Sequence, residues 1–124
     1  MTIKVFDSEL RVMKILWEHG EMGARDIAHI LEAEIGWNVN TTYTTIKKLI
    51  DKGAIERRDP KFICIPLIPE EQIQKQEARE LGSKLFGGSA SALLSAFLSD
   101  EKLSKAEIKR MKQLVDMLDD EVER

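Results

Sequence analysis

Residues 37–66 of the 124-residue chain read WNVNTTYTTIKKLIDKGAIERRDPKFICIP, and their pattern of apolar residues changes at Gly53. After that glycine, residues 54–58 and 62–67 are short segments that contain β-branched residues and are separated by a turn that contains Pro60. The stretch therefore predicts a helix over residues 39–52, capped by Asn38 and ended by Gly53, followed by a β-hairpin. The residues before Gly53 that recur on one side of this helix, and are predicted to face the core, are Val39, Thr42, Ile46, Leu49 and Ile50.

Two further helices are predicted upstream of this stretch. The first begins with Asp7 or Ser8 as its N-cap and ends at Gly20, and the second covers residues 24–34. The short EMG segment at residues 21–23 suits a brief strand. Three helices followed by a hairpin form a winged helix, which is a variant of the helix-turn-helix. The apolar residues that define these two helices are Leu10, Met13, Leu16 and Trp17 in the first and Ile27, Ile30 and Leu31 in the second.

The second half of the chain is predicted to be helical. Its last helix begins at a capping box that runs from Ser104 to Glu107, and it carries a continuous apolar stripe. Such a stripe needs a partner, and a second copy of the chain is the natural candidate. The alternative is a monomeric helical cap over the winged helix. The residues predicted to form the dimer interface are Leu94, Phe97, Ile108, Met111, Leu114, Val115, Leu118 and Val122.

These patterns predict a fold that is mainly α with a small β-hairpin. An N-terminal winged helix-turn-helix domain would occupy residues 1–69, and a C-terminal helical dimerisation domain would occupy residues 70–124. No apolar run approaches the roughly 18 residues of a membrane span, and the N-terminus lacks the pattern of a signal peptide. We therefore expect a cytoplasmic protein.

The residue inventory argues against an enzyme, a metal site or a cofactor. Cys64 is the only cysteine, which rules out an intramolecular disulfide and a cysteine-based zinc finger, and it is expected in the core. The two histidines, His19 and His29, do not form a metal-binding motif. The sequence contains no Gly-rich phosphate loop and no nucleophile paired with a base.

Positive charge is concentrated around the predicted third helix and the hairpin, although the whole chain has a formal net charge of -3. Residues 40–61 contain six lysines or arginines and three carboxylates, a local excess that suits a phosphate backbone. Amide and hydroxyl groups near the start of the helix can read base edges, and cations farther along can hold phosphates. The predicted DNA-binding residues are Asn40, Thr41, Tyr43, Thr44, Lys47, Lys48, Arg57, Arg58 and Lys61.

Double-stranded DNA is therefore the predicted partner of the first half, and a palindromic operator bound by a homodimer is the predicted target. The competing interpretation is a winged-helix module for protein–protein interaction, without sequence-specific DNA binding. The near-neutral charge of residues 1–69 would suit that alternative.

Two sets of residues resemble one family of regulators. The chain is similar to the penicillinase and methicillin-resistance repressors, whose members are dimeric winged-helix transcriptional repressors involved in antibiotic resistance. The resemblance implies the same function here. The residues that carry it are Trp37, Thr41, Thr44, Leu49, Lys52 and Gly53, together with Glu9, Met13, Leu16 and Trp17.

The resemblance also bears on how the protein leaves DNA. In the penicillinase repressors, a membrane-bound sensor protease that responds to a β-lactam or another cell-wall signal cuts an Asn-Phe bond, and the matching pair here is Ala96-Phe97. Ala96 and Phe97 are therefore a candidate cleavage site, and the alternative is that Phe97 only fills the dimer core. The cysteine cluster of the related copper-responsive repressors has no counterpart in this chain, which excludes a mechanism based on it.

Overall fold

The computed structural model describes the backbone of residues 2–99 and 102–122, and the side chains of those residues up to 117. The chain divides into two compact units, Met1–Gln76 and Glu77–Arg124. The elements in chain order are α1 (Asp7–His19), β1 (Met22–Gly23), α2 (Ala24–Ile35), α3 (Val39–Asp51), β2 (Ile55–Arg58), β3 (Ile63–Pro66), α4 (Glu70–Phe86), α5 (Ala90–Leu98) and α6 (Lys105–Val122).

The start of α1 differs from the prediction. Phe6, rather than Asp7 or Ser8, occupies the N-cap position, so the predicted side-chain cap is wrong. The Phe6 N–H donates instead to Oε1 of Glu9 at 2.9 Å. Glu9 is only 2% exposed and also forms an ion pair with Lys52. The buried carboxylate of Glu9 therefore accepts hydrogen bonds from Phe6 and Lys52, and it stabilises the start of α1 in place of the predicted side-chain cap.

The helix α3 begins and ends as predicted. Asn38 is its N-cap, and the Asn38 Oδ1 accepts the N–H of Asn40 at 2.7 Å. After the C-cap Lys52, Gly53 has a φ of 82°, a left-handed conformation that glycine adopts without a steric penalty. Both ends of α3 are thus determined by local sequence.

The three strands form one antiparallel sheet in the order β1-β3-β2. In the hairpin, Ile55 lies opposite Pro66 and Arg58 lies opposite Ile63, which leaves residues 59–62 as the connecting turn. Met22 in β1 lies opposite Cys64 in β3, so the brief strand predicted at residues 21–23 is confirmed. We refer to residues 55–66 as the wing. The first unit is a winged helix, as predicted.

The first unit extends beyond the wing into the start of α4. Ile73 is 3% exposed in the core, and Gln76 Nε2 donates to the carbonyl oxygen of Ile3 at 3.0 Å. Trp17 Nε1 donates to the carbonyl oxygen of Ile68 at 2.9 Å, which fastens the segment between β3 and α4 to α1. The compact unit therefore ends within α4, while the division at residue 69 into a DNA-binding and a dimerisation domain stays a prediction about function.

The second unit contains the rest of α4 together with α5 and α6. Ser89 caps α5, where its Oγ accepts the N–H of Ala92 at 3.1 Å, and Ser104 Oγ accepts the N–H of Glu107 at 3.1 Å, as the predicted capping box requires. Within the described residues, no single helix is long and apolar enough to cross a membrane. The helices α4 and α5 meet that requirement of length and composition only as a pair bent by 90°.

Candidate nucleic-acid interface

The outer face of α3 carries most of the residues predicted to meet DNA. Thr42, Ile46 and Leu49 have no solvent exposure and point into the core. Tyr43 is half-buried at the border between the core and the outer face. The predicted orientation of α3 is therefore confirmed, although contact with DNA stays a prediction. The polar residues that are exposed on the outer face are Asn40, Thr41, Thr44, Lys47 and Lys48.

One cation in this region has a structural role. Lys52 Nζ pairs with the buried Glu9, donates to the carbonyl oxygen of Lys4 at 2.8 Å and lies 4.3 Å from the ring centroid of Phe6. These three contacts hold the end of α3 against the segment before α1. Lys52 therefore adds little to the positive charge that α3 and the wing present to a ligand. The local excess of cations over residues 40–61 is correspondingly smaller than the sequence alone indicates.

The two arginines of the wing are each paired with a nearby acid. Arg57 Nε donates to Asp59 Oδ1 at 2.9 Å, and Arg58 Nη2 donates to Glu56 Oε2 at 3.3 Å. All four side chains are more than two-fifths exposed, so these pairs contribute little to stability and can exchange for other partners. Phosphate oxygens are such partners, because arginine binds them in the same geometry as a carboxylate.

The lysines of the interface differ from these arginines. Lys47 and Lys48 on α3 and Lys61 in the turn of the wing are exposed, and no ion pair is found for them among the residues that the structure describes. Their ammonium groups are the cations that a phosphate backbone would meet without displacing an internal partner. The two predicted arginines are thus paired with acids, whereas the three predicted lysines have no ion pair among the described residues.

An aromatic contact joins α3 to the wing. The ring centroids of Tyr43 and Phe62 are 5.7 Å apart in an edge-to-face arrangement, and Arg57 Cζ lies 3.7 Å from the centroid of Phe62. Sequence reasoning placed Tyr43 and Arg57 at the interface but missed Phe62. The available signal was an aromatic residue at the start of residues 62–67, a segment that is otherwise aliphatic apart from Cys64 and Pro66.

Cys64 lies in the core, as expected. Its side chain has no solvent exposure, and desolvation raises its pKa from 9.0 to about 11, although the nearby Arg57 acts in the opposite direction. Because the neutral thiol is the form favoured by burial, this cysteine is a packing residue. In the described part of the chain, no three His, Cys, Asp or Glu residues are placed to hold a metal ion.

A second candidate site lies between α5 and α6, where four of the predicted dimer residues come together. Leu94, Ile108, Met111 and Val115 line a groove of about 240 Å³. Phe97 and Leu114, two more residues of the predicted interface, are 51% and 50% exposed. The side chains of Leu118 and Val122 lie outside the described residues. A single chain therefore leaves much of this apolar surface uncovered.

Comparison with known proteins identifies one family. The sequence profile of the penicillinase repressor family matches residues 6–117. The penicillinase repressor of Bacillus licheniformis is 25% identical over 115 residues, which cover 91% of this chain and 90% of that protein. The methicillin resistance regulatory protein MecI of Staphylococcus aureus strain N315 is 28% identical over 116 residues, 92% of this chain and 94% of MecI.

A solved structure extends the similarity to three dimensions. The monomeric form of Bacillus licheniformis BlaI in complex with the blaP half-operator aligns with a TM-score of 0.50 and 30% sequence identity, covering 57% of this chain and 90% of that one. Because the matching family consists of repressors, the prediction that this chain is not an enzyme is confirmed. The match over residues 6–117 establishes that the chain belongs to the penicillinase repressor family.

Proposed function

We propose that this member of the penicillinase repressor family is a cytoplasmic transcriptional repressor that binds a palindromic operator as a homodimer. The observation that carries the proposal is the outer face of α3, where exposed amide and hydroxyl groups precede two exposed lysines, next to a wing that adds further cations. In this arrangement α3 is the recognition helix, with its N-terminal residues at base edges and its lysines at phosphates.

The proposal of a homodimer rests on the second unit. The groove between α5 and α6 and the half-exposed apolar residues beside it form a surface that water solvates poorly. The similar BlaI structure contains a monomeric form with a half-operator, and a half-operator implies a whole operator with two halves. Two copies joined through α5 and α6 would place two recognition helices on such a site, with residues 1–69 binding DNA and residues 70–124 holding the dimer.

Replacing Thr44 and Lys47 separately tests the role of α3. DNA duplexes selected by the purified protein from a random pool would supply the target. Thr44→Ala is expected to change the selected sequence, because the hydroxyl and methyl groups of threonine read bases. Lys47→Ala is expected to weaken binding to selected and scrambled duplexes alike, by more than about tenfold at about 0.1 M salt, because an ammonium group on a phosphate carries no sequence information.

Two matched controls accompany these variants. Thr44→Ser retains the hydroxyl group and separates its contribution from that of the methyl group. Lys14→Ala removes the same charge from a groove between α1 and α2 and is expected to leave affinity unchanged within about twofold. If the pool yields no enriched sequence, the chain is not a sequence-specific repressor, and the protein–protein interaction module becomes the better interpretation.

We further infer that a sensor protease in the membrane releases the repressor by cutting between Ala96 and Phe97. Both residues lie near the C-terminal end of α5 and are exposed, so a local opening of the last turn would present the bond. The cut would separate α6 from the DNA-binding unit and remove half of the groove between α5 and α6. Dimerisation and tight operator binding would then fail together.

Mass spectrometry of the protein from cells exposed to a β-lactam tests this mechanism. The expected product is a fragment that ends at Ala96, absent from untreated cells. Phe97→Ala serves as the comparison, since it changes the bond that the protease would cut. Full-length protein on a derepressed promoter would contradict the cleavage mechanism and would leave Phe97 with a packing role alone.

A further inference from the structure

Phe62 connects three separate elements of the first unit. Its ring packs edge-on against Tyr43 of α3, at an interplanar angle of 65°, and lies beneath the guanidinium group of Arg57 of β2. Its carbonyl oxygen accepts the N–H of Ala24, the first residue of α2, at 2.9 Å. A single residue at the end of the turn therefore contacts α2, α3 and β2.

The backbone of Phe62 is strained where these contacts meet. Its φ is 50°, a left-handed conformation that bulky residues rarely adopt. Strain of this kind persists only where the surrounding contacts impose it, and it is concentrated at functional positions. At Phe62 this backbone occurs together with the hydrogen bond from Ala24 and the contact with Tyr43, and it places the aromatic ring beneath an arginine of the wing.

The ring restricts the side chain of Arg57. One guanidinium face rests on Phe62, and Nε donates to the exposed Asp59, while the side chain as a whole is 43% exposed. An arginine ordered before it meets its ligand loses less conformational entropy on binding. Stacking on an aromatic ring also leaves the edge of the guanidinium group available for phosphate oxygens.

We propose that Phe62 is a positioning residue, which orients Arg57 relative to Tyr43 so that the wing and the recognition helix bind a DNA duplex as one unit. This inference rests on the proposed function. It predicts that Arg57 and Phe62 act through each other: removal of the ring weakens the contribution of Arg57, although Phe62 itself does not touch the DNA.

A double-mutant cycle measures this dependence. The probe is a fluorescein-labelled duplex selected from a random pool by the wild-type protein, and affinity is measured by anisotropy. Phe62→Leu, which retains apolar volume but removes the π system, is expected to weaken binding about fivefold. Arg57→Ala is expected to weaken the wild type by a similar factor but to have little further effect in the Phe62→Leu background. Phe62→Tyr, which retains the ring, is expected to bind the duplex within about twofold of the wild type.

Each result supports or overturns the proposal. Thermal unfolding of every variant separates positioning from loss of fold, and Phe62→Met replaces Phe62→Leu if the latter unfolds. The inference would be overturned if the losses of affinity from Phe62→Leu and Arg57→Ala simply multiply in the double variant. It would also be overturned if Phe62→Leu binds like the wild type while Arg57→Ala does not. Either result would leave the repressor function intact. A wild-type protein that selects no duplex would overturn the repressor function and, with it, the role of Phe62.

Discussion

Operator affinity should fall by about four orders of magnitude when monovalent salt is raised from about 50 mM to about 200 mM. The physical reason is counterion release. If each half of a dimer neutralises about four phosphates, eight condensed cations are displaced, and log affinity falls against log salt with a slope of about -7. These contacts would come from among five cations in each half, namely the exposed Lys47, Lys48 and Lys61 and the exchangeably paired Arg57 and Arg58.

Anisotropy titrations at five or more salt concentrations give this slope directly. Lys47→Ala should make it shallower by about two, since a symmetric dimer loses one phosphate contact in each half. Lys14→Ala, which removes a lysine outside the interface, should leave it unchanged. A slope near zero would contradict electrostatic binding to a phosphate backbone and would leave the DNA-binding proposal without support.

Replacement of Val115 with aspartate should produce a monomer and weaken operator binding by about 100-fold. Val115 lines the groove between α5 and α6 and is 50% exposed in the single chain, so a partner would bury it. A carboxylate in that apolar contact is costly to desolvate, even though Lys112 also lines the groove. Once the two halves are unlinked, the second half-site loses an effective concentration on the order of millimolar, which is the source of the 100-fold loss.

Sedimentation equilibrium and anisotropy on the same samples test the link between assembly and binding. Gln113→Asp is the matched control, because it introduces the same charge on α6 at an exposed residue that does not line the groove. The control should remain dimeric and bind normally. A Val115→Asp protein that sediments as a dimer would show that the interface lies elsewhere on the chain.

Much of the first unit could be predicted because its signals are local. The cap at Asn38, the left-handed Gly53 and the change from helix to hairpin after Gly53 all act within a few residues, and each appears where it is predicted. The outer face of α3 could be predicted for the same reason, since helical periodicity alone determines which side chains point away from the core. The resemblance to the family rests on a wider set of residues, among them Trp37, Thr41 and Trp17, and membership of the family is confirmed over residues 6–117.

The errors and omissions all concern contacts between residues distant in sequence or between backbone and side chain. The sequence predicts Asp7 or Ser8 as the cap of α1 because both are good capping residues, but the buried Glu9 accepts hydrogen bonds from Phe6 and Lys52 instead. Lys52 is 43 residues from Glu9, so the sequence around Lys52 gives no sign of the ion pair that makes this lysine less available to DNA. The same applies to Phe62, whose partners lie in three different elements.

The sequence by itself determined where α3 begins and ends, that a hairpin follows it, and which face of α3 is polar. Only the tertiary structure decided which cations are available, since Lys52 is held by a buried carboxylate while Lys47 and Lys48 are exposed. It also decided that Phe62 adopts a left-handed backbone beneath Arg57. The physical reason is that capping and periodicity depend on neighbours within a few residues, whereas burial, ion pairing and ring stacking depend on which distant segments the fold brings together.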